Sequence, residues 1–420
     1  MDHLQPFLAT IAVGSQYALI HFTLGLITGF TPATSHLRPI AVAAILALAI
    51  SIQIAVQHAA NIPIPLRGIL AMGAWIQVFN SLDILLHTRI TYTEHIEWRK
   101  EKNQRGGRPL APAMTALRFS LTIPNNFRRV NTKWQITPLY NFNNGRPGTI
   151  PWRAEFLTAR LKSIFLLSGA AFFLFLACSH LTWIPKRRDL LLSELERQGS
   201  LLNTSWESVL TQIHPVLFFI ITLFMLHKTL YNLISIAAVS LRLSDPASWP
   251  PFQGSPREAW TVRRFWRQFW HQSFHAFLTA NTAFFITSTR RRSSPTPRRR
   301  SISKVPSRYA RYFTCFAISG LVHLLMDLAV GIPLHDSGAM QFLLIQPLAF
   351  AVEDVAASLG NRCIPAMARE ERATRAIGYI WVTAFSLWSW RPWALPVVKR
   401  ALEVQEPITS IWFLGVGGEK

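Results

Sequence analysis

"FTCFAISGLVHLLMDLAVGI", residues 313–332, reads as one apolar helix with two ionisable side chains, His323 and Asp327, set into it. A helix rises about 1.5 Å per residue, so a run of this length crosses the roughly 30 Å hydrocarbon layer of a bilayer. Working outward, comparable runs occupy 7–30, 39–57, 67–86, 163–184, 213–240, 339–359 and 375–396. With 311–332 they predict an all-α, polytopic integral membrane protein of about eight transmembrane helices. The run 7–30 lacks the basic start and short apolar core of a cleaved signal peptide and reads as a retained span.

Composition agrees once charge is mapped onto position. Half of the 420 residues are hydrophobic and 15% are charged, yet the net charge is +22. Such a charge could indicate a nucleic-acid partner, but Lys and Arg crowd into the segments between the apolar runs. That is the layout of basic cytosolic loops, and it excludes nucleic-acid binding as the reading of the charge. Cys178, Cys315 and Cys363 have no metal-ligand or redox spacing and read as small packed hydrophobes, so no metal site is expected. No soluble domain of ordinary size fits between the runs. The expectation is a single membrane-embedded domain over 1–420.

The connections set orientation. The loop 87–162 is rich in Lys and Arg and is expected in the cytosol. One span later, Asn203-Thr204-Ser205 forms an N-glycosylation sequon, usable on the lumenal side, while Lys186, Arg187 and Arg188 oppose that orientation. The stretch 272–288 is apolar but short and precedes two arginine triplets, 290–292 and 298–300. A re-entrant or interfacial helix starting and ending on the cytosolic face fits it. The segment 289–309 reads either as a disordered basic cytosolic loop or as a patch for anionic lipid head groups.

An ionisable group in hydrocarbon is costly, which makes His323 the leading candidate for chemistry. Ser319 and Asp327 lie four residues to either side, so the three share one helical face. A neutral imidazole there can accept a proton, with a carboxylate fixing its tautomer. The competing reading is a structural histidine bonded to a facing helix. The second candidate is "FWRQFWHQSFH", residues 265–275. In helical geometry Phe265, Phe269 and Gln272 form one face and Trp266, Trp270 and Phe274 another, with Arg263, Arg264 and Arg267 beside them. An interfacial amphipathic helix explains the Trp and Arg residues but not His271 or His275.

"RRFWRQFWHQ", residues 263–272, resembles the F-W-x-x-x-W-H-Q signature of wax synthase-like enzymes within the membrane-bound O-acyltransferases. Related sterol and diacylglycerol acyltransferases carry F-Y-x-x-W-W-N in the corresponding place. "SGLVH", residues 319–323, resembles the family's membrane-buried Ser-Gly-x-x-His, and "DPASWPPFQGSPREAW", residues 245–260, resembles fungal members. The resemblance is dense over 240–330 and architectural elsewhere. Two positions depart from it: Arg267 stands where many relatives have glycine, and Leu324 where plant-type members have an acidic residue. Asp327, one turn on, is then the available carboxylate.

The resemblance implies transfer of an acyl group from acyl-CoA to an alcohol, with no tightly bound cofactor. His323 would act as base, and His271 would position the thioester or stabilise its oxyanion. Arg263, Arg264 and Arg267 would meet CoA or lipid phosphates, and Trp266 and Trp270 would contribute to substrate or CoA binding. Acetyl-CoA with a terpenoid-type secondary metabolite is the expected pair; a long acyl-CoA with a fatty alcohol is the alternative. A transporter or scaffold is the rival of another class, although the chain shows no internal repeat. The expected site is the endoplasmic reticulum membrane, with lipids, acyl-CoA and a lipophilic alcohol as partners.

Overall fold

A computed structural model describes residues 4–59, 62–104, 115–142, 149–182, 193, 206–292, 304–363 and 371–403. Among the described residues there is no strand. The principal helices are α1 (Leu4–Phe30), α2 (Leu37–His58), α3 (Ile64–Ser81), α4 (Tyr92–Gln104), α5 (Ala116–Thr122), α6 (Arg153–Thr182) and α7 (Trp206–Ser240). They continue as α8 (His275–Arg292), α9 (Lys304–Ala329), α10 (Ala339–Cys363), α11 (Glu371–Ser389) and α12 (Arg391–Glu403).

Seven helical segments among the described residues are long and apolar enough to cross a bilayer: Thr10–Phe30, Leu37–His58, Ile64–His87, Arg153–Phe173, Ile213–Ser240, Arg308–Ala329 and Ala339–Gly360. Many of their large apolar side chains point outward, Phe165 being 78% exposed and Ile40 62%. In lipid such faces carry no hydrophobic penalty. The expected span 375–396 is not among the seven. Its helix α11 carries Glu371, Arg372 and Arg375 in its first turns, the chain turns at Trp390, and α12 restarts with Pro392 in its first turn. A proline is tolerated there because the amide it lacks has no partner within the helix. The dipping segment 272–288 corresponds to α8, which is not one of the seven either. Asn203 and residues 293–303 of the basic loop lie outside the described residues.

The chain forms two compact units. Unit 1 comprises Met1–Pro138 and Gln272–Gly331, and unit 2 comprises Leu139–His271 and Ile332–Lys420.

In unit 1, α1, α2 and α3 pack through small side chains such as Ala41, Ala49, Ala71 and Ala74, all nearly inaccessible. Small residues let helices approach closely where no hydrophobic drive separates protein from lipid. Gly25 shows how close: a Cβ there would sit 2.2 Å from the Ser120 carbonyl oxygen of α5. Arg38, buried at the start of α2, donates to the carbonyls of Pro32 (3.0 Å), Thr31 (3.1 Å) and Ile90 (2.9 Å), collecting two loops onto one guanidinium. Beyond Ser81, α3 continues as a π-helical turn, Leu82–His87. There the buried Arg129–Asp83 pair (2.8 Å) closes the helix end, with Arg129 also donating to Asn80 Oδ1 at 2.9 Å. His95 of α4 illustrates a purely structural histidine. It is enclosed by Trp98, Phe119 and Trp134, and burial, aided by Arg99, pushes its pKa down to about 4.

In unit 2, α7 packs against α6 and α12, and α10 against α12. An aromatic core of Phe219, Phe342, Trp390 and Trp393 joins α7, α10 and α12, with ring centroids 4.2–6.0 Å apart.

Candidate active site

Unit 1 holds the His323 cleft. The ring nitrogen Nδ1 of His323 lies 2.7 Å from the backbone oxygen of Ser319, one turn back on α9. A carbonyl can only accept, so Nδ1 carries the proton and donates. In the uncharged ring the lone pair then sits on Nε2. The Ser319 carbonyl is thus one partner that orients the ring. Asp327 is fully buried one turn beyond and does not line the cleft.

The cleft is too tight to hold a water molecule and is lined by Ser319, Val322 and His323 of α9, Ile76 of α3, Phe277 and Leu278 of α8, and Phe274 just before α8. Ser319 and His323 share its wall, as their four-residue spacing predicts. Two contacts hold α9 and α8 in place. Gln53 of α2 donates to the Leu325 carbonyl (3.2 Å) while accepting from the Trp75 indole (3.0 Å). The buried Asn281 of α8 donates to the Phe79 carbonyl of α3 at 2.9 Å.

Unit 2 holds the His271 cluster. The expected helix through 265–275 does not form. One turn starts at Val262, capped by the Thr261 hydroxyl, which accepts from the Arg264 amide at 3.0 Å. The chain then widens into a π-helical turn, Phe265–Phe269, in which the Trp270 amide donates to the Phe265 carbonyl at 2.7 Å. At Trp270 the backbone becomes extended, with φ −62° and ψ 172°, so His271 leaves the helix altogether.

Distant groups impose this path. Glu353 of α10 accepts from the amides of Val262 and Arg263 and from the Trp381 indole, placing a carboxylate at the turn's amide-rich start. Gly254 donates to the Phe269 carbonyl at 2.9 Å, and a Cβ there would lie 1.8 Å from the Gln268 oxygen. Tyr140 donates to the Trp270 carbonyl at 2.6 Å. π-helical turns of this kind are rare and concentrate at functional sites.

His271 stands among aromatic rings: Phe252 at 5.5 Å, Trp270 at 5.7 Å and the imidazole of His227 at 5.5 Å between centroids. Sequence reasoning missed His227. The signal was present, because it is an ionisable residue inside the apolar run 213–240, as His323 is inside its own.

The other expected residues are committed to the fold in varying degree. Arg263 pairs with Asp354 at 2.8 Å and donates to the Phe350 carbonyl, and Arg264 pairs with Glu258 and lies over the Trp260 ring. Burial, and secondarily Arg375, lowers the pKa of Arg264 from its ordinary value. Trp266 donates to Gln346 at 3.0 Å, and Trp270 is buried against Phe265 and Trp390. Arg267 is exposed and has no ion-pair partner among the described residues.

The chain thus pairs long apolar helices with a half-buried, backbone-oriented histidine and a second histidine at a helix break. Residues 249–345, which span both motifs, match the membrane bound O-acyl transferase family. The chain is similar to the acetyltransferase ataH of Aspergillus terreus, 39% identical over 37% of this chain and 48% of that protein, so the match spans about half of it. It is 25% identical to the acetyltransferase aurG of Calcarisporium arbuscula over 95% of each chain. Similarity to the O-Mevalon transferase macI of Penicillium terrestre is 38% over 26% of each. These matches make the chain similar to membrane-bound O-acyltransferases, and its long apolar helices fit a multi-pass membrane protein.

Proposed function

We propose that the chain transfers an acetyl group from acetyl-CoA to a hydroxyl of a lipophilic, terpenoid-type secondary metabolite. The observation that carries this is the His323 imidazole, oriented by the Ser319 carbonyl toward chemistry through Nε2, in a narrow apolar cleft inside the family-matching segment. In the proposed step Nε2 removes the hydroxyl proton as the oxygen attacks the thioester carbon. The C–S bond breaks, the ester forms, and the departing CoA thiolate recovers the proton from the imidazolium. His271 is assigned a hydrogen bond to the thioester oxygen, and Arg267 a contact with a CoA phosphate. The acetyl preference draws on the printed names of ataH and aurG.

The name of macI supports a second reading, a bulkier acyl donor, and a long-chain wax-type reaction is the third. Microsomes carrying the protein, supplied with labelled acyl-CoAs of increasing length and candidate terpenoid or fatty alcohols, separate these. Acetyl ester formation on terpenoid alcohols is the expected result. A preference for long donors overturns the acetyl reading, and no transfer from any donor overturns the enzyme and leaves a transporter or scaffold. We place the protein in the endoplasmic reticulum membrane with Asn203 lumenal. A glycosidase-sensitive mass shift abolished by Asn203→Gln is the expected sign, and its absence counts against that orientation.

A further inference from the structure

We infer that Phe127 determines the size of acceptor that reaches His323; the inference rests on the acyl transfer proposed above. The cleft beside His323 is too tight for a water molecule, so an alcohol enters only where its wall gives way. The sides of that wall differ in how freely they yield. On one side α9 is tied to α2 by the bond from Gln53 to the Leu325 carbonyl. It also lies close against α3, where a Cβ at Gly68 would stand 2.9 Å from Val330. Ile76, the second side, comes from α3, which packs against both α2 and α9.

The third side is formed by Phe274, Phe277 and Leu278, at the entry to α8. A phenyl ring changes place by rotating about its own side-chain bonds, without unwinding a helix. That rotation needs room behind the ring, and Phe127 fills it. Its ring meets Phe274 and Phe277 edge-on, each 6.5 Å away, while those two rings lie 5.3 Å apart. Phe127 does not itself line the cleft; it is a half-buried second layer behind two rings that do.

The backbone that carries Phe127 is fastened on both sides of it. Before it, the Pro124 carbonyl accepts from two buried amides of α3, Gln77 at 3.1 Å and Asn80 at 2.9 Å. After it, Asn126 grips Val130 twice, accepting from its amide and donating to its carbonyl, both at 2.9 Å. Arg129 holds φ 55°, a conformation uncommon outside glycine, and is kept there by Asn80 and Asp83 at 2.9 and 2.8 Å. None of these ties uses the Phe127 side chain. The loop is thus a fixed stop whose reach is set by the ring at position 127. A smaller residue there lets Phe274 and Phe277 swing back further; a larger one holds them in. Phe127 touches no reacting atom, so it acts on which alcohol is admitted.

Two measurements on the full-length protein in microsomes test this. The first is acetyl transfer from acetyl-CoA to geraniol and to the tetracyclic alcohol lanosterol. Phe127→Ala should raise kcat/KM for lanosterol relative to geraniol about tenfold, the discrimination that a small change in an apolar pocket supplies. Phe127→Trp should lower the same ratio. The second needs no turnover. Diethyl pyrocarbonate reacts with the unprotonated nitrogen of a neutral imidazole, and mass spectrometry of the His323 peptide reads the rate. Phe127→Ala should speed that labelling about tenfold, the same factor as for entry of the bulky alcohol. His227 of unit 2, whose Nδ1 likewise donates to a carbonyl at 2.8 Å, should label at its wild-type rate.

An acceptor ratio unmoved by both variants overturns the inference. Equal acceleration at His227 marks general loosening and overturns it too. Should Phe127→Ala fail to accumulate, Phe127→Leu and Phe127→Trp decide by the same ratio. Failure of the proposed reaction looks different, since then no ester forms even in the wild-type protein. In that case an unchanged His323 labelling rate overturns the stop as well, and a faster one upholds it.

Discussion

The His323 cleft and the His271 cluster solve one problem in opposite ways. Each must hold an imidazole in a fixed orientation inside a membrane protein. At His323 the support is local: a regular helix presents the Ser319 carbonyl one turn back, 2.7 Å from Nδ1. At His271 the support is remote. Glu353, Gly254 and Tyr140, spread over more than two hundred residues of chain, bend the backbone out of the helix and keep it out. Local support survives changes elsewhere; remote support gains a backbone path that no regular helix offers, and depends on every anchor.

That contrast is open to direct attack. The largest effect is expected at the locally supported ring. His323→Ala should reduce acyl transfer by about 10²- to 10⁴-fold, the range for loss of a general base, in protein that still inserts into membranes. Near-normal turnover would remove His323 from the chemistry.

Next comes the remote scaffold. Gly254→Ala places a methyl group against the Gln268 carbonyl and should cost about 1–3 kcal/mol, read as a lowered Tm of the solubilised protein. An unchanged Tm would show that the π-helical turn yields easily, contrary to the comparison.

Asp327→Asn sharpens the other side. Because the Ser319 carbonyl orients the ring, this change should lower kcat by less than about tenfold, below the ~10²-fold floor for losing a base. A loss matching that of His323→Ala would return the orienting role to the carboxylate. The smallest effect belongs to Arg267→Ala. An exposed cation contributes about 0.2–1 kcal/mol, so KM for acetyl-CoA should rise only a few-fold, with the difference fading in high salt. A KM that does not move at any ionic strength removes Arg267 from CoA binding.

The same contrast explains what could be read from the sequence. Span positions and the shared wall of Ser319 and His323 were legible, because helix periodicity depends on residues three or four apart. The break at Trp270 was not. "FWRQFWHQSFH" continues as a respectable helix on paper, and the anchors that stop it lie at 140, 254 and 353. The ion pairs of Arg263 with Asp354 and of Arg264 with Glu258 were not legible either, because the local pattern does not point to those acidic residues. The eighth span looked continuous because hydropathy averages across Trp390. His227 was overlooked for a different reason: it matched no motif, although the rule that singled out His323 applied to it equally.

The hydrogen bond from His323 to the Ser319 carbonyl has a consequence for descent. Its acceptor is main chain, present whatever amino acid occupies position 319, so no single side-chain replacement can delete it. The residues facing the ring, Ile76, Phe274, Phe277 and Leu278, belong to other segments and are under no such constraint. A lineage can therefore reshape the walls while the orientation of the His323 ring is inherited unaltered; under the proposed function, that changes the alcohols admitted and keeps the base.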